Sequence, residues 1–128
     1  MEDEKPIIIK NEKGNIIEMK FYVNDTLHRI DKPAIILYNP DSVLPKVIET
    51  RYYFNNKLHR DNGPAIMKFD PNSTYEMPRV TEIQYYRNGL LHQEYGPAII
   101  KYDKSQNAKE VSNYKNGIHQ QTDFFQHF

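Results

Sequence analysis

The sequence predicts an all-β protein: an elongated antiparallel meander of β-hairpin repeats, about three and a half units long. Three observations predict it. The stretch YYFNNKLHRDNGPAIMKF, from Tyr52 to Phe69, recurs as YYRNGLLHQEYGPAIIKY from Tyr85 to Tyr102 and more loosely as FYVNDTLHRIDKPAIILY from Phe21 to Tyr38. An Asn-led dipeptide stands at the same point of every copy. Between these dipeptides the side chains alternate with the period of two that marks a strand. Self-similarity at a fixed period is the signature of a repeat architecture, in which stacked units bury what one unit cannot.

The whole chain reads as one domain. Pro6-Ile7-Ile8-Ile9-Lys10 matches Pro97-Ala98-Ile99-Ile100-Lys101, so segment 6–11 is the second half of a unit. Full units follow at 16–39, 47–70 and 79–103, and a partial capping unit at 109–128. Lys13-Gly14-Asn15 is a turn signal. Ile16 to Val23 then alternates as a strand.

Asn24-Asp25 comes next, with equivalents Asn55-Asn56, Asn88-Gly89 and Asn116-Gly117. Such pairs tolerate the positive φ that a two-residue type I′ hairpin turn needs at both central positions. The chain folds back into Leu27-His28 and, in the later copies, Leu58-His59, Leu91-His92 and Ile118-His119. A polar corner follows, ending in Gly63 and Gly96 in two of the units. Pro33, Pro64 and Pro97 close the corners. Proline has no ladder donor and belongs at the first residue of a strand, so returning strands are expected at Ala34–Tyr38, Ala65–Phe69 and Ala98–Tyr102. The count comes to about eight main strands with short hairpin extensions.

The connections NPDSVLPK, DPNSTYEMPR and DKSQNAKE are turn-rich and read as solvent-facing segments without a shared pattern. The tail QQTDFFQHF reads as a cap folded over the last unit, since terminal repeats are atypical.

Counting back from Tyr22, Tyr53, Tyr86 and Tyr114 gives Lys20, Arg51, Gln84 and Ser112 two residues earlier. Glu18, Glu49, Glu82 and Glu110 stand four earlier. These share one face of the sheet. On the returning strands, the set Ala34, Ile36 and Tyr38 is expected to face inward, because Lys68 and Lys101 fall on the opposite parity.

Composition narrows the function. Lysine plus arginine and aspartate plus glutamate number 17 each, so the net charge is zero and the electrostatic footprint of a nucleic-acid binder is missing. The absence of cysteine excludes a disulfide framework and a thiolate metal site, and it fits a reducing compartment. The opening MEDEKPIIIK reads as no signal peptide, and no apolar run approaches transmembrane length. No G-x-G-x-x-G, Walker or G-x-S-x-G motif occurs, so no cofactor is implied.

From Tyr86 to His92, YRNGLLH, the chain resembles a MORN-type repeat, whose unit is an aromatic, an NG turn, a hydrophobic or basic step, a His and a Gly-led strand. Tyr86, Gly89 and His92 match it, as do Tyr114 and Gly117. Two extra residues lie between His92 and Gly96, and GPA replaces the usual Gly-x-Gly, so the resemblance is to an LHRxxGPA variant, over Pro6 to His119. Such repeats occur in bacteria and in large DNA viruses. The resemblance implies an elongated hairpin scaffold that binds proteins and sometimes lipids, in the cytoplasm, or in a host cytoplasm or virion if viral.

His28, His59 and His92 recur 31 and then 33 residues apart, and with His119 they invite a metal hypothesis. Successive units lie two strands apart, roughly 10 Å, whereas Zn–N bonds are about 2.0–2.1 Å. The histidines therefore read as structural, each hydrogen-bonded to the backbone of its own corner, together with Pro33, Pro64, Pro97, Gly63 and Gly96. Four glutamates in one register do not provide the two unlike environments that a catalytic pair needs; they read as cross-strand partners of the basic residues. No catalytic residue is assigned, and the chain reads as non-enzymatic. Tyr22, Tyr53 and Tyr86, with Lys20 and Arg51, are the candidate partner-binding residues, because tyrosine is enriched in interfaces. Variable connections such as Asn72 to Pro78 are the alternative contact. A self-associating structural subunit, built through open sheet edges, is the next reading, and a small ligand or lipid on the sheet face the weakest.

Overall fold

Each unit divides as the repeat pattern requires, into a long strand, a two-residue hairpin, a corner and a returning strand. The computed structural model describes residues 5–126. In chain order the strands are β1 (Ile7–Lys10), β2 (Ile16–Lys20), β3 (Tyr22–Val23), β4 (Thr26–Leu27), β5 (Ile35–Tyr38), β6 (Val47–Arg51), β7 (Tyr53–Phe54) and β8 (Lys57–Leu58). They continue as β9 (Ile66–Phe69), β10 (Val80–Gln84), β11 (Tyr86–Arg87), β12 (Leu90–Leu91), β13 (Ile99–Tyr102), β14 (Ala108–Lys115) and β15 (Ile118–Phe124). The architecture is all-β. Nine strands form one open antiparallel meander in the order β1-β2-β5-β6-β9-β10-β13-β14-β15, and three two-stranded hairpins stand beside it.

The hairpins branch at one residue per unit. Phe21 N–H donates to Ala34 O across the main sheet at 2.8 Å, while Phe21 O accepts from His28 N–H at 3.2 Å within the hairpin. Tyr52 and Tyr85 repeat this, with Ala65 and Ala98 on one side and His59 and His92 on the other. The three alanines are fully buried at the branch. The returning strands begin one residue later than the sequence suggests, at Ile35, Ile66 and Ile99. The alanines still exchange ladder bonds through their backbone.

The turns are of the expected kind. Asn24 and Asp25 have φ of 49° and 63°, Asn55 and Asn56 48° and 67°, Asn88 and Gly89 50° and 85°, Asn116 and Gly117 49° and 82°. All eight sit in the left-handed region that type I′ demands.

Burial only partly follows the expected face. Ala34 and Tyr38 are buried, and Tyr38 Oη lies 3.5 Å from Met19 Sδ on the same side of the sheet. Ile35 and Ile66, on the opposite face, are buried as well. In the register Ile35 stands between Lys20 and Arg51, and Ile66 between Arg51 and Gln84. Long polar side chains flanking an isoleucine cover it with their stems. The core of this single-layered sheet is therefore thin and shared between its two faces.

The tail departs from expectation. It does not fold over the last unit. β15 pairs edgewise with β14 and becomes the ninth main strand. The cause is the residue missing from the last hairpin. In the other units Tyr22, Tyr53 and Tyr86 pair with Leu27, Leu58 and Leu91, but Tyr114 pairs with His119. The strand then runs straight on, with a register shift between Asn113 and Tyr114 in place of a corner. Of the tail, His127 and Phe128 lie outside the described residues.

Gly89→Ala tests the turn assignment. It keeps φ at +85° and is expected to lower the unfolding free energy by about 1–2 kcal/mol, the cost of a left-handed Cβ, measured by urea denaturation.

Candidate functional site

Three features recur up the molecule: a column of histidine-capped turns, a ladder of charged and tyrosyl side chains, and a row of connecting loops.

In the column, the histidines reach forward to the next unit, which corrects the own-corner expectation. His28 Nδ1 accepts from Asn55 N–H at 3.1 Å, His59 Nδ1 from Asn88 N–H at 3.0 Å, and His92 Nδ1 from Asn116 N–H at 3.0 Å. Beside each, a carbonyl takes the second turn N–H: Asn56 to Leu27 O, Gly89 to Leu58 O and Gly117 to Leu91 O, all at 2.8 Å. An Nδ1 that accepts carries no proton, so the ring proton sits on Nε2. There His59 meets Asp61 Oδ1 at 2.7 Å and His92 meets Glu94 Oε2 at 3.2 Å. His119 is not a fourth member: its ring lies 5.1 Å from that of Tyr114, and its Nε2 is 2.7 Å from Thr122 Oγ1. Among the described residues no three metal-ligating side chains come together.

The corners are fastened by arginine. Arg29 lies 3.7 Å above the Phe21 ring and donates to Pro33 O at 3.1 Å; Arg60 lies 3.9 Å above Tyr52 and donates to Pro64 O at 3.2 Å. Stacking and hydrogen bonding together use both the face and the edge of the guanidinium. The third corner has Gln93 there instead, and Lys115 Nζ donates to Gln93 O at 2.8 Å from the last hairpin. Lys32 replaces glycine in the first corner, and the positive φ moves to Asp31, at 59°. A cleft of about 230 Å³ lies between the first two corners, walled by Arg29, Asp31, Tyr52, His59 and Arg60.

The ladder holds the side chains that the sequence singles out for a partner. Lys20 lies 3.8 Å from Glu18, Arg51 Nε 2.5 Å from Glu49, and Gln84 donates to Glu82. The register runs Glu18, Leu37, Glu49, Lys68, Glu82, Lys101, Glu110 across the sheet, so opposite charges alternate over much of its width. Lys101 pairs with Glu110 at 3.0 Å, a bond that raises the ammonium's pKa. Tyr86 Oη donates to Gln84 Oε1 at 3.1 Å, and burial pushes its phenol above the ordinary tyrosine value. Tyr53 is half-buried and Tyr22 exposed. Lys20 and Arg51 are thus already paired within their own strands.

The loops carry a repeated position that the sequence reading missed. Asn11, Asn39, Asp70 and Asp103 each follow a returning strand and accept a backbone N–H two residues on with a side-chain oxygen, at 3.1, 3.0, 2.8 and 2.9 Å. This is the Asx turn, and an Asn or Asp directly after each strand was its visible signal. Each hairpin connection also carries a register shift next to it. Asp70 further pairs with Arg79, and Asn72 N–H and Arg79 hold its carboxyl below the ordinary aspartate range.

On this frame the second and third loops touch each other. Tyr75 Oη donates to Leu44 O at 2.7 Å, and Lys46 Nζ to Pro71 O at 2.5 Å. Between them they present Val43, Leu44, Tyr75 and Met77, exposed by 83, 70, 54 and 78%. A cleft of about 310 Å³ opens nearby, beside Asp70, Arg79, Lys101 and Lys109. No family model, curated protein or solved structure matches this chain.

Two outcomes test these roles. His92→Ala strands Asn116 N–H in a part-buried setting and should cost about 2 kcal/mol, whereas His119→Ala, with no turn to cap, should cost less than half of that by chemical denaturation. Asp70, lowered when folded, adds stability that is complete above the unfolded carboxyl value near 4 and is lost as pH falls through the lower folded value. An NMR titration should place its midpoint below that of an unpaired aspartate, with Arg79→Gln raising it.

Proposed function

We propose that this chain is a non-enzymatic, MORN-like repeat module that binds a protein partner, acting in the cytoplasm. The observation that carries the reading is the exposed apolar patch at the loop end. Val43, Leu44, Tyr75 and Met77 stand in loops held by hydrogen bonds rather than collapsed onto the sheet. Exposed apolar groups cost free energy in water unless something covers them, and a contiguous patch of them marks an interaction surface. Methionine adapts to an irregular partner and tyrosine supplies contact area at small entropic cost. Lys46, Arg79, Asp41 and Glu76 belong to or adjoin the same two loops and supply both signs of charge, and a polar rim is the usual anatomy of a protein interface.

Variation concentrates where contact is proposed. The connections differ in length and composition, while the hairpins and corners repeat. A scaffold that holds its units constant and varies its loops offers a different surface at each level. The tyrosine face, with Tyr22 exposed at its first level, is a second surface for the same partner. The cysteine-free composition fits a reducing compartment. No helix among the described residues is long and apolar enough to cross a membrane.

The test is affinity capture from the native source with mass spectrometry. The double variant Leu44→Ser, Met77→Ser changes exposed positions and should shift stability by less than about 0.5 kcal/mol. A specific protein held by the wild type and lost by this variant supports the loop contact. Capture that survives it, yet fails when Tyr22, Tyr53 and Tyr86 are changed to serine, moves the contact to the tyrosine face.

A further inference from the structure

We propose that β15 is a homodimerisation edge, pairing antiparallel with β15 of a second copy about a two-fold axis centred on Thr122. This is independent of any partner at the loop end.

The edges of the sheet are unlike. β1 has four residues, ends in Lys10 and follows Pro6, and both residue types guard a sheet edge. β15 has seven residues, IHQQTDF, with no lysine or proline and a single charge, Asp123. Its side chains are mostly exposed, including Ile118 at 67% and Phe124 at 73%. A long edge without guards is a template for another strand.

Backbone geometry shows which groups are on offer. Phe125 N–H donates to Lys109 O at 2.9 Å, and Asp123 pairs with Val111 two residues along. Bonded pairs recur at every second residue of an antiparallel ladder. Asp123 and Gln121 therefore turn their backbone groups toward β14, and Thr122 and Phe124 turn theirs outward. Among the described residues those outward groups meet no partner.

Strand parity selects the occupant. The sheet has nine antiparallel strands, so its first and last run in the same direction. Pairing β15 of one copy with β1 of the next would be parallel if the units continued head to tail, which is the slightly weaker ladder. A two-fold normal to the sheet instead sets β15 antiparallel to itself, as an isologous contact that closes at two subunits.

The side chains select the register. Centring on Thr122 pairs the two threonines, a favourable cross-strand combination, and keeps the central bonded pair in the regular part of the strand, away from the shift at Gln120. It also sets Gln121 opposite the second copy's Asp123, and Asp123 opposite its Gln121. The two already share one side of the sheet, where Gln121 Nε2 donates to Asp123 Oδ1 at 2.8 Å. Centring one residue later would set Asp123 against its own copy, like charge on like.

The experiment is analytical ultracentrifugation of the full chain across a concentration series up to the millimolar range. The wild type should reach twice its 15.2 kDa mass. Thr122→Lys and Thr122→Glu should each stay monomeric, since either places like charges opposite one another at the axis, and an equimolar mixture of the two should dimerise again. Unfolding of one variant cannot imitate that rescue. A wild-type monomer throughout, dimers of the single variants as tight as the wild type, a mixture that stays monomeric, or growth beyond two subunits would each overturn the proposal.

Discussion

Two backbone N–H groups at the tip of each hairpin determine how the units stand on one another. A type I′ turn leaves the N–H of both central residues without a partner in its own hairpin. In the second, third and fourth hairpins the preceding unit supplies both acceptors, an imidazole Nδ1 and a leucine carbonyl, at 2.8–3.1 Å. The first three hairpins are two residues per strand and could not persist alone in water. Stacked, each closes the bonding of the next, and the column then braces the corner that starts the returning strand. The main sheet and the column are thus two ladders rising together, joined at Phe21, Tyr52 and Tyr85.

This arrangement explains why little of the chain resembles a packed core. A single sheet buries each face only under its own side chains, so aromatic rings, arginine planes and the stems of Lys20 and Arg51 do the covering. The three alanines are fully buried where sheet, hairpin and corner meet. Beyond the column and the sheet, constraint relaxes, and the connections are free to differ as long as an Asn or Asp opens the turn.

Much of this was legible in the sequence, and what was not has a physical reason. The turns could be read because positive φ restricts residue choice to Asn, Asp and Gly, so conformation is written directly in Asn88-Gly89 and its kin. The paired strands followed from alternation. The histidine bonds could not be read, because the donor lies in the next unit, 27 residues from His28 and 29 from His59, and sequence offers nearer backbone groups that look equally suitable. The fate of the tail turned on a one-residue deletion, whose effect is to put His119 where a leucine stands in the other units. The Asx positions at Asn39, Asp70 and Asp103 were visible but were obscured by loops of unequal length. The apolar patch of Val43, Leu44, Tyr75 and Met77 needed three dimensions, since it is assembled from two loops that meet through Tyr75 Oη on Leu44 O and Lys46 Nζ on Pro71 O.

Every junction in the column is the same: one His and one carbonyl below, two N–H groups above. Each unit therefore enters with two donors for its predecessor's acceptors and leaves with the acceptors its successor needs. Excising or duplicating a stretch of 31 or 33 residues, the spacing of His28, His59 and His92, would leave no junction unmatched. Chain length in this architecture can change by whole units without redesign, so descendants of one ancestral gene can differ in reach while keeping every interface intact.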